Sequence, residues 1–554
     1  MKKYKSILLS GLGILTIAVG VASCSDNIDI APAGIITSDT YFTSVSDYDN
    51  ALNGVYTTLN SGNLSLWMDA VTDDGLVTHS WNRGYDFGRG FGNASSAFPQ
   101  NKWDNDYVSI QRANNIITNI DRYAWAKGEN DPDRLRVLGE ASVLRDYFYL
   151  DLVGIFGNIL FYTTNPATTE EARQMTQSAP KEVFDFIVDD LGKVIPGLPD
   201  KPESKSKIGK AAGRLLRARA AAYAAGYLND KSYWKVVLSE TEELLKYSPE
   251  LASNYASLFT MNCKDLDEVI LVKSYSVDQK NNWGDWYNQS IGGYCVTTPC
   301  KALVDAYEYL GGKKIETRPY LNKDPRLYAN IYVPGMKLRD KYYNTIPNNV
   351  EVRDGNTYFK KSGDYGGLQD APVSVGDVKN EGGGGEWNKT PTGFTWKKYF
   401  TESETWSTYN DYVVFRYAEA YLLRAEAIIE TGGDAAEAKR LVKIVRDRAG
   451  NTNDIDWAVK DIYNGSLRDL IRNEERVEFA DEGHRFFDIR RWGILLDVMN
   501  RPIQGIEYRD ESGKTVVYEP AKREAYTQKD FYWPIPQAEM DLSTGNLKQN
   551  EGWE

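Results

Sequence analysis

The sequence predicts a mainly α-helical, tetratricopeptide-like, right-handed scaffold that carries a loop-rich, partly β-hairpin region. Three observations predict it. Paired helical stripes recur in units of roughly 34 residues. Alanines stand where two helices must approach closely. Between about 250 and 410 helical periodicity fades while Gly, Asn, Trp and Tyr rise.

The stretches Tyr107 to Ala124 and Leu135 to Val153 form the first, looser helix pair. From Gly213, residues Leu215, Ala218, Ala222 and Ala225 recur at helical spacing until Asn229-Asp230 breaks the pattern. Trp234, Val237, Leu238, Thr241, Leu244 and Leu245 make the return stripe, which Pro249 stops. From Phe415, a stripe of Ala418, Leu422, Ala425 and Ile429 leads to a Gly432-Gly433 turn. A second stripe of Ala435, Ala438, Leu441, Val442 and Val445 runs to Gly450. Such hairpins bury their faces only by stacking on one another. They fall at about 103–249 and 411–500, within one domain spanning 44–554.

The excursion at about 250–410 holds Val350 to Lys360, a hairpin turning at Asp354-Gly355. A second hairpin, Ile506 to Tyr518, turns near Glu511-Ser512-Gly513. Gly382 to Gly385 is a glycine loop without the Lys-Ser/Thr and strand–helix context of a phosphate cradle.

Composition removes several function classes. The chain has 65 Lys and Arg against 78 Asp and Glu, a net charge of −13. That balance argues against nucleic acid, which needs a basic face, and against docking on anionic lipid by charge. With two histidines in 554 residues, His79 and His484, a multi-histidine metal centre is excluded. No Asp-x-Asp-x-Asp-Gly calcium loop is present, so neither a metal nor a cofactor is predicted. Mean hydropathy of −0.50 excludes a polytopic membrane protein. Aromatic residues, by contrast, make up 12%, more than a core alone explains.

The first residues read as an address. Lys2, Lys3 and Lys5 precede an apolar run from Ile7 to Val21, then Val21-Ala22-Ser23-Cys24. A basic start, a short apolar stretch and small residues make a secretory signal over 1–23. The cysteine after those residues resembles a bacterial lipoprotein box, which makes Cys24 the lipidated first residue of the mature chain. Residues 24–43 are then a tethered linker. Its acidic start, Ser25-Asp26-Asn27-Ile28-Asp29, resembles the surface-export signal of Bacteroidetes lipoproteins. Of the other cysteines, Cys295 and Cys300 either close a small loop or stand, with Cys263, as buried free thiols, the second being favoured.

Residues 467–493 read Leu-Arg-Asp-Leu-Ile-Arg-Asn-Glu-Glu-Arg-Val-Glu-Phe-Ala-Asp-Glu-Gly-His-Arg-Phe-Phe-Asp-Ile-Arg-Arg-Trp-Gly. This block resembles the signature of the SusD/RagB family of Bacteroidetes outer-membrane nutrient-binding lipoproteins. Asp324-Pro325-Arg326-Leu327, Arg416 to Ala427, Val445 to Gly450, Trp533-Pro534-Ile535-Pro536 and Trp103 to Asn114 agree with it, in order, along the mature chain. Departures are local: Glu475 stands where a second Arg is usual, and Glu551 where Pro is usual. The resemblance implies a SusD-like fold with a variable, loop-rich face. It further implies capture of a nutrient, usually a glycan, at the cell surface. The cargo then passes to a SusC-like TonB-dependent transporter in the outer membrane. The 467–493 block itself reads as an ion-paired junction between helices rather than a catalytic cluster around His484, because its charges fall at i,i+3 and i,i+4.

A pyranose presents C–H faces that stack on aromatic rings and hydroxyl edges that planar donors and acceptors read. Aromatic loops flanked by Asn, Asp or Arg are therefore the expected glycan contacts. Two stand out: Trp81, Asn82, Arg83 and Tyr85 in the loop from His79 to Phe87, and Trp283, Trp286, Tyr287 and Asn288 in the loop from Asn281 to Gln289. Trp387, Trp396 and Trp406 form a third, weaker group. Three alternatives compete with a sugar-binding protein, one of them a structural or adhesive surface protein acting through its helical repeats. A peptide-binding member of the family would use the same loops to grip side chains. A surface glycoside hydrolase would need two facing carboxylates, for which Asp73-Asp74 is the nearby candidate.

Overall fold

A computed structural model describes residues 41–59, 67–281, 283–287, 292–373, 389–400 and 409–554. The leader, Cys24 and most of the linker lie outside the described residues, as do Asn288, Trp387 and Trp406.

The architecture is mainly α, as expected. Helix α1 (Val45–Tyr56) starts in a capping box, Ser44 and Asp47 each bonding the other's backbone N–H. Strand β1 (Gly75–Val77) follows, then α2 (Ala97–Thr118) and α3 (Pro132–Phe156). Asp131 caps α3 and Pro132 sits in its first turn, where a missing N–H is harmless. Helices α4 (Pro180–Val194), α5 (Lys210–Tyr227) and α6 (Trp234–Leu245) complete the first half. The excursion holds β2 (Val269–Lys273), β3 (Thr297–Pro299), β4 (Val350–Arg353) and β5 (Asn356–Phe359). Strand β6 (Tyr412–Arg416) leads into α7 (Tyr417–Glu430), α8 (Ala435–Ala449), α9 (Leu467–Glu478) and α10 (Arg485–Arg491). The hairpin β7 (Glu507–Arg509) and β8 (Thr515–Val517) comes last.

Neighbouring helices pack in a continuous series: α2 on α3, α3 on α4, α4 on α5, α5 on α6, α6 on α7, and α7 on α8 and α9. The two helical blocks, far apart in sequence, are thus one stack in space, joined where α6 meets α7. Helix α4 belongs to the series although no stripe was read there in the sequence. Close approach explains the alanines. Ala218, Ala220, Ala221, Ala222 and Ala224 on α5 are fully buried. At Gly226 a Cβ would lie 2.3 Å from the backbone oxygen of Arg491, so only glycine lets α5 meet α10 there.

Both predicted hairpins form. β4 and β5 pair antiparallel, with Asp354 (φ 50°) and Gly355 (φ 76°) both left-handed in the two-residue turn. β7 and β8 pair antiparallel with Glu507 opposite Val517. Two longer-range ladders hold the excursion to the stack. β6 pairs with β2 across a register shift, and β1 pairs with β3, Val77 opposite Thr297. Cys263, Cys295 and Cys300 are buried free thiols.

The signature block is an ion-paired junction, but its partners are mostly distant in sequence. Arg416, at the end of β6, reaches Glu478 at 2.5 Å, Glu482 at 2.8 Å and Glu268 at 3.1 Å. Arg326 meets Asp324 at 2.7 Å, Glu474 at 2.6 Å and Glu478 at 2.8 Å. Arg446 bridges Glu308 and Glu474 at 2.6 and 3.0 Å. Arg491 joins Glu426, Glu475 and Asp488 at 2.6, 2.6 and 2.8 Å. Only the last of these pairs is an i,i+3 neighbour on its own helix. All four arginines are buried, so each must be neutralised by its partners. His484 lies half-buried here, its ring stacked on Phe479 at 4.5 Å. Burial, reinforced by Arg219 and Arg416, holds its imidazole neutral, well below the ordinary histidine value.

Candidate functional site

The loop 79–91 is a run of tight turns. Asn82 N–H donates to the His79 carbonyl and Tyr85 N–H to the Asn82 carbonyl. A single helical turn, Tyr85–Gly88, follows. Phe91 N–H then closes back on the Asp86 carbonyl at 3.1 Å.

The underside of this loop is pinned to the core. Phe87 packs on Trp533 at 4.6 Å, and Trp533 in turn contacts Phe98 and Phe486. The Tyr526 hydroxyl donates to the Phe87 carbonyl. Arg523 donates to the carbonyls of Gly88 and Thr72, both at 2.9 Å. Gly90 adopts φ +81°, and a Cβ there would lie 2.6 Å from the Glu524 carbonyl, so the chain can approach Glu524 only with glycine at this position.

The upper side presents aromatic surface. Trp81 is 64% exposed and lies parallel to the His79 ring, centroids 4.7 Å apart and planes 6° from coplanar. Tyr85 is half-buried; Phe91 meets its edge at 6.0 Å and is itself exposed. Arg83 is exposed and Asn82 half-buried between these rings in sequence. A large ring turned to solvent from a rigid loop is surface the fold itself does not use.

The second predicted loop is brought to the same end of the β1–β3 ladder. Thr78 N–H donates to the Val296 carbonyl at 3.0 Å, and its hydroxyl donates to the Cys295 carbonyl. Val296 and Cys295 N–H groups donate in turn to the carbonyls of Asp285 and Tyr287. The two clusters therefore converge, but their rings behave differently. Trp283, Trp286 and Tyr287 are only 1%, 2% and 1% exposed, which corrects the expectation that they face a ligand. Trp283 packs on Tyr399 at 4.1 Å, Trp286 on Trp67 at 5.6 Å, and Tyr287 on Phe400 at 5.1 Å. They anchor the loop because three large rings bury more apolar area inward than a few sugar contacts would offer outward. Trp396 is likewise buried, its indole N–H donating to Thr297 Oγ1 at 3.1 Å. The exposed ring of this segment is Tyr294. Sequence reasoning does not single out Phe91 and Tyr294; each follows a glycine in a Gly-rich turn, the one local signal that marks them.

Asp73 and Asp74, the carboxylates a hydrolase would need, are already engaged. Arg485 donates to both Asp73 oxygens, at 2.9 and 2.8 Å, and Arg476 to Asp74 at 2.7 Å. Although burial pushes the Asp73 carboxyl up, Arg485 and Arg476 more than reverse this and hold it ionised. Asp74 balances the other way, burial and the neighbouring Asp73 pushing its carboxyl up against Arg476; both acids are buried.

Two other concavities differ in kind. A groove of about 660 Å³ runs between the two hairpins, lined by Asn348, Lys360, Tyr508, Arg509 and Glu511. Lys360 and Glu511 bridge it at 3.5 Å. An enclosed space of about 30 Å³ lies in the helical core beside Lys102, Asp151, Arg219 and His484, room for about one water. Among the described residues no group of three or more His, Cys, Asp or Glu forms a metal-binding set.

Comparison with known proteins agrees along the whole length. The family described as "SusD family" matches residues 267–553, and "Starch-binding associating with outer membrane" matches residues 36–225. A SusD-like protein of Formosa agariphila is 25% identical over 503 residues, 88% of this chain and 89% of that one. The starch-binding protein SusD of Bacteroides thetaiotaomicron is 24% identical, covering 100% of this chain and 99% of its own. Among solved structures, a SusD-like carbohydrate-binding protein from Bacteroides fragilis superposes with a TM-score of 0.74 at 22% identity, covering 90% of this chain and 98% of that one. A laminarin-binding SusD-like protein superposes with a TM-score of 0.65 at 20% identity, covering 92% and 100%. With more than half of its length matched by that family, the chain belongs to the SusD family.

Proposed function

We propose that this protein is a non-catalytic, cell-surface glycan-binding lipoprotein. It captures an oligo- or polysaccharide on the platform of Trp81, Tyr85 and Phe91 and passes it to a SusC-like TonB-dependent transporter. The observation that carries the reading is the exposed Trp81 ring, held flat against His79 on a loop pinned from below. A ring fixed in this way stacks on a sugar face with little ordering left to do on binding. Exposed Arg83 and the Asn82 amide oxygen, whose nitrogen is buried, adjoin it in sequence to read hydroxyls, and Tyr294 is exposed on the neighbouring segment. Relatives named for binding starch, laminarin or carbohydrate support the choice of cargo. The lipid on Cys24 would tether the protein to the outer membrane, facing outward, and no helix among the described residues is long and apolar enough to cross a membrane.

Affinity electrophoresis against soluble polysaccharides, with released reducing ends assayed in parallel, tests the reading. Retardation by a glycan, no released sugar, and about a tenfold weaker interaction for Trp81→Ala are expected, equivalent to about 1.4 kcal/mol. Unchanged binding by Trp81→Ala would remove the platform from the reading, and new reducing ends would make the protein an enzyme. Cys24→Ala should release the protein from the membrane fraction.

A further inference from the structure

The loop 79–91 contains two arginines, Arg83 and Arg89, and one acid, Asp86. Asp86 is occupied within the loop: it accepts from the Ser96 hydroxyl and, at 2.9 Å, from the Phe87 N–H. Neither arginine has a carboxylate partner among the described residues. The junction arginines Arg326, Arg416, Arg446 and Arg491 gather two or three acids each, whereas buried Arg490 is held by the carbonyls of Phe486, Asp530 and Phe531.

Arg89 is the more telling of the two. Its guanidinium lies over the Tyr85 ring at 4.4 Å, beside the exposed Phe91. Its Nε is buried and has no hydrogen-bond partner among the described residues. The charge beneath it has the same sign: Arg523 is held by the carbonyls of Gly88, Met499 and Thr72, with no acid in ion-pair range among the described residues. Burial lowers the Arg89 guanidinium from its usual value, with Tyr85 acting the other way and Arg523 adding to the effect of burial. A cation over an aromatic face keeps in-plane N–H donors for a carboxylate or sulfate, here those on the two Nη atoms, since Nε is buried.

We infer that the platform is built for an anionic glycan, one bearing carboxylate or sulfate groups, with Arg83 and Arg89 as the residues that hold its charge. The inference rests on the glycan reading of the same platform and narrows it. The rings take the sugar faces, and the arginines select against uncharged chains. Because the protein as a whole carries −13, this selectivity must come from the local patch and not from net attraction.

The test sets binding to polygalacturonate and alginate, as the carboxylate arm, beside carrageenan as the sulfate arm and laminarin and dextran as the neutral arm. Methyl-esterified pectin serves as the uncharged match to polygalacturonate. At least one anionic chain is expected to bind ten times or more tightly than the neutral chains, and for polygalacturonate than its ester. Arg83→Gln and Arg89→Gln should each weaken that binding fivefold or more. Arg89→Lys, which keeps the charge but loses the fork, should fall between wild type and Arg89→Gln. Exposed Arg83 can be replaced without disturbing packing, so an unfolded Arg89 variant does not spare the idea. If a neutral glucan binds through Trp81 and the arginine variants keep full affinity, the inference fails while the glycan reading stands. Anionic binding that the double variant leaves unchanged also overturns it. Binding to no glycan in any arm removes both.

Discussion

Arginine appears in this protein under two opposite conditions. At the helix junction Arg326, Arg416, Arg446 and Arg491 are buried, and each meets at least two carboxylates. On the aromatic loop Arg83 and Arg89 meet none among the described residues. Density of charge in the sequence does not separate the two regions; pairing does. Charges that satisfy one another hold helices in register, while charges and rings left unsatisfied by the fold are the ones available to a ligand. The same contrast divides the tryptophans, with Trp283 buried against Tyr399 and Trp81 turned to solvent.

The contrast can be broken or sharpened by experiment. The largest effect is expected at the junction. Arg416→Ala removes the cation shared by Glu268, Glu478 and Glu482, leaving them to Arg448, Arg326 and Lys398 in a buried site, and removing one partner of such a network costs up to about 5 kcal/mol. Chemical denaturation should show that loss, and a change below about 1 kcal/mol would mean the network relaxes onto water. Trp283→Ala is expected next, at about 4 kcal/mol, since it empties the space of a buried indole. If glycan affinity falls while the unfolding midpoint holds, Trp283 touches ligand after all.

A pH effect of about 3 kcal/mol is expected at Glu308. Burial pushes its carboxyl up, but the hydrogen bond and charge of Arg446, with help from Asn453 and Tyr463, bring it down from 4.5 to about 2. The folded state therefore favours the ionised form. The stabilisation is present above pH 4.5 and is lost as pH falls through about 2. Stability measured from pH 6 downward should decline more gently in Glu308→Gln than in wild type; parallel curves would place the acid sensitivity elsewhere. The smallest effect on stability is expected at Trp81→Ala, within about 0.5 kcal/mol. A clear drop in unfolding midpoint there would show that the exposed ring is structural.

Much of the scaffold was legible because it depends on local pattern. The stripes at 215–245 and 418–445 became α5 to α8, since 3.6-residue spacing and alanine content are written in consecutive residues. The Asp354-Gly355 turn was legible for the same reason. Helix α4 escaped notice, although Val183, Phe184, Ile187, Val188 and Leu191 on it are buried. The junction was recognised as ion-paired, but partners such as Arg416 and Glu482 come from distant segments that only tertiary structure unites. The site divided along similar lines. An Asn-rich aromatic loop looks alike whether its rings face inward or outward. Trp81 and Trp283 were equal in sequence, and long-range packing against Tyr399 separated them.

The pairing of β2 with β6 has a consequence for how such a protein changes over generations. Lys273 and Tyr412 stand opposite each other, so the chain leaves the helical stack and returns to it at one gate. Outer loops between them can lengthen or shorten while Glu308, Arg326 and β3 stay fixed to the stack, and a longer loop adds only slowly to the entropy of closing it. The stack is thus a fixed chassis, and only the outer loops of the insert, not its ion-paired residues, are the exchangeable part. A lineage can retool those loops while leaving the chassis unaltered.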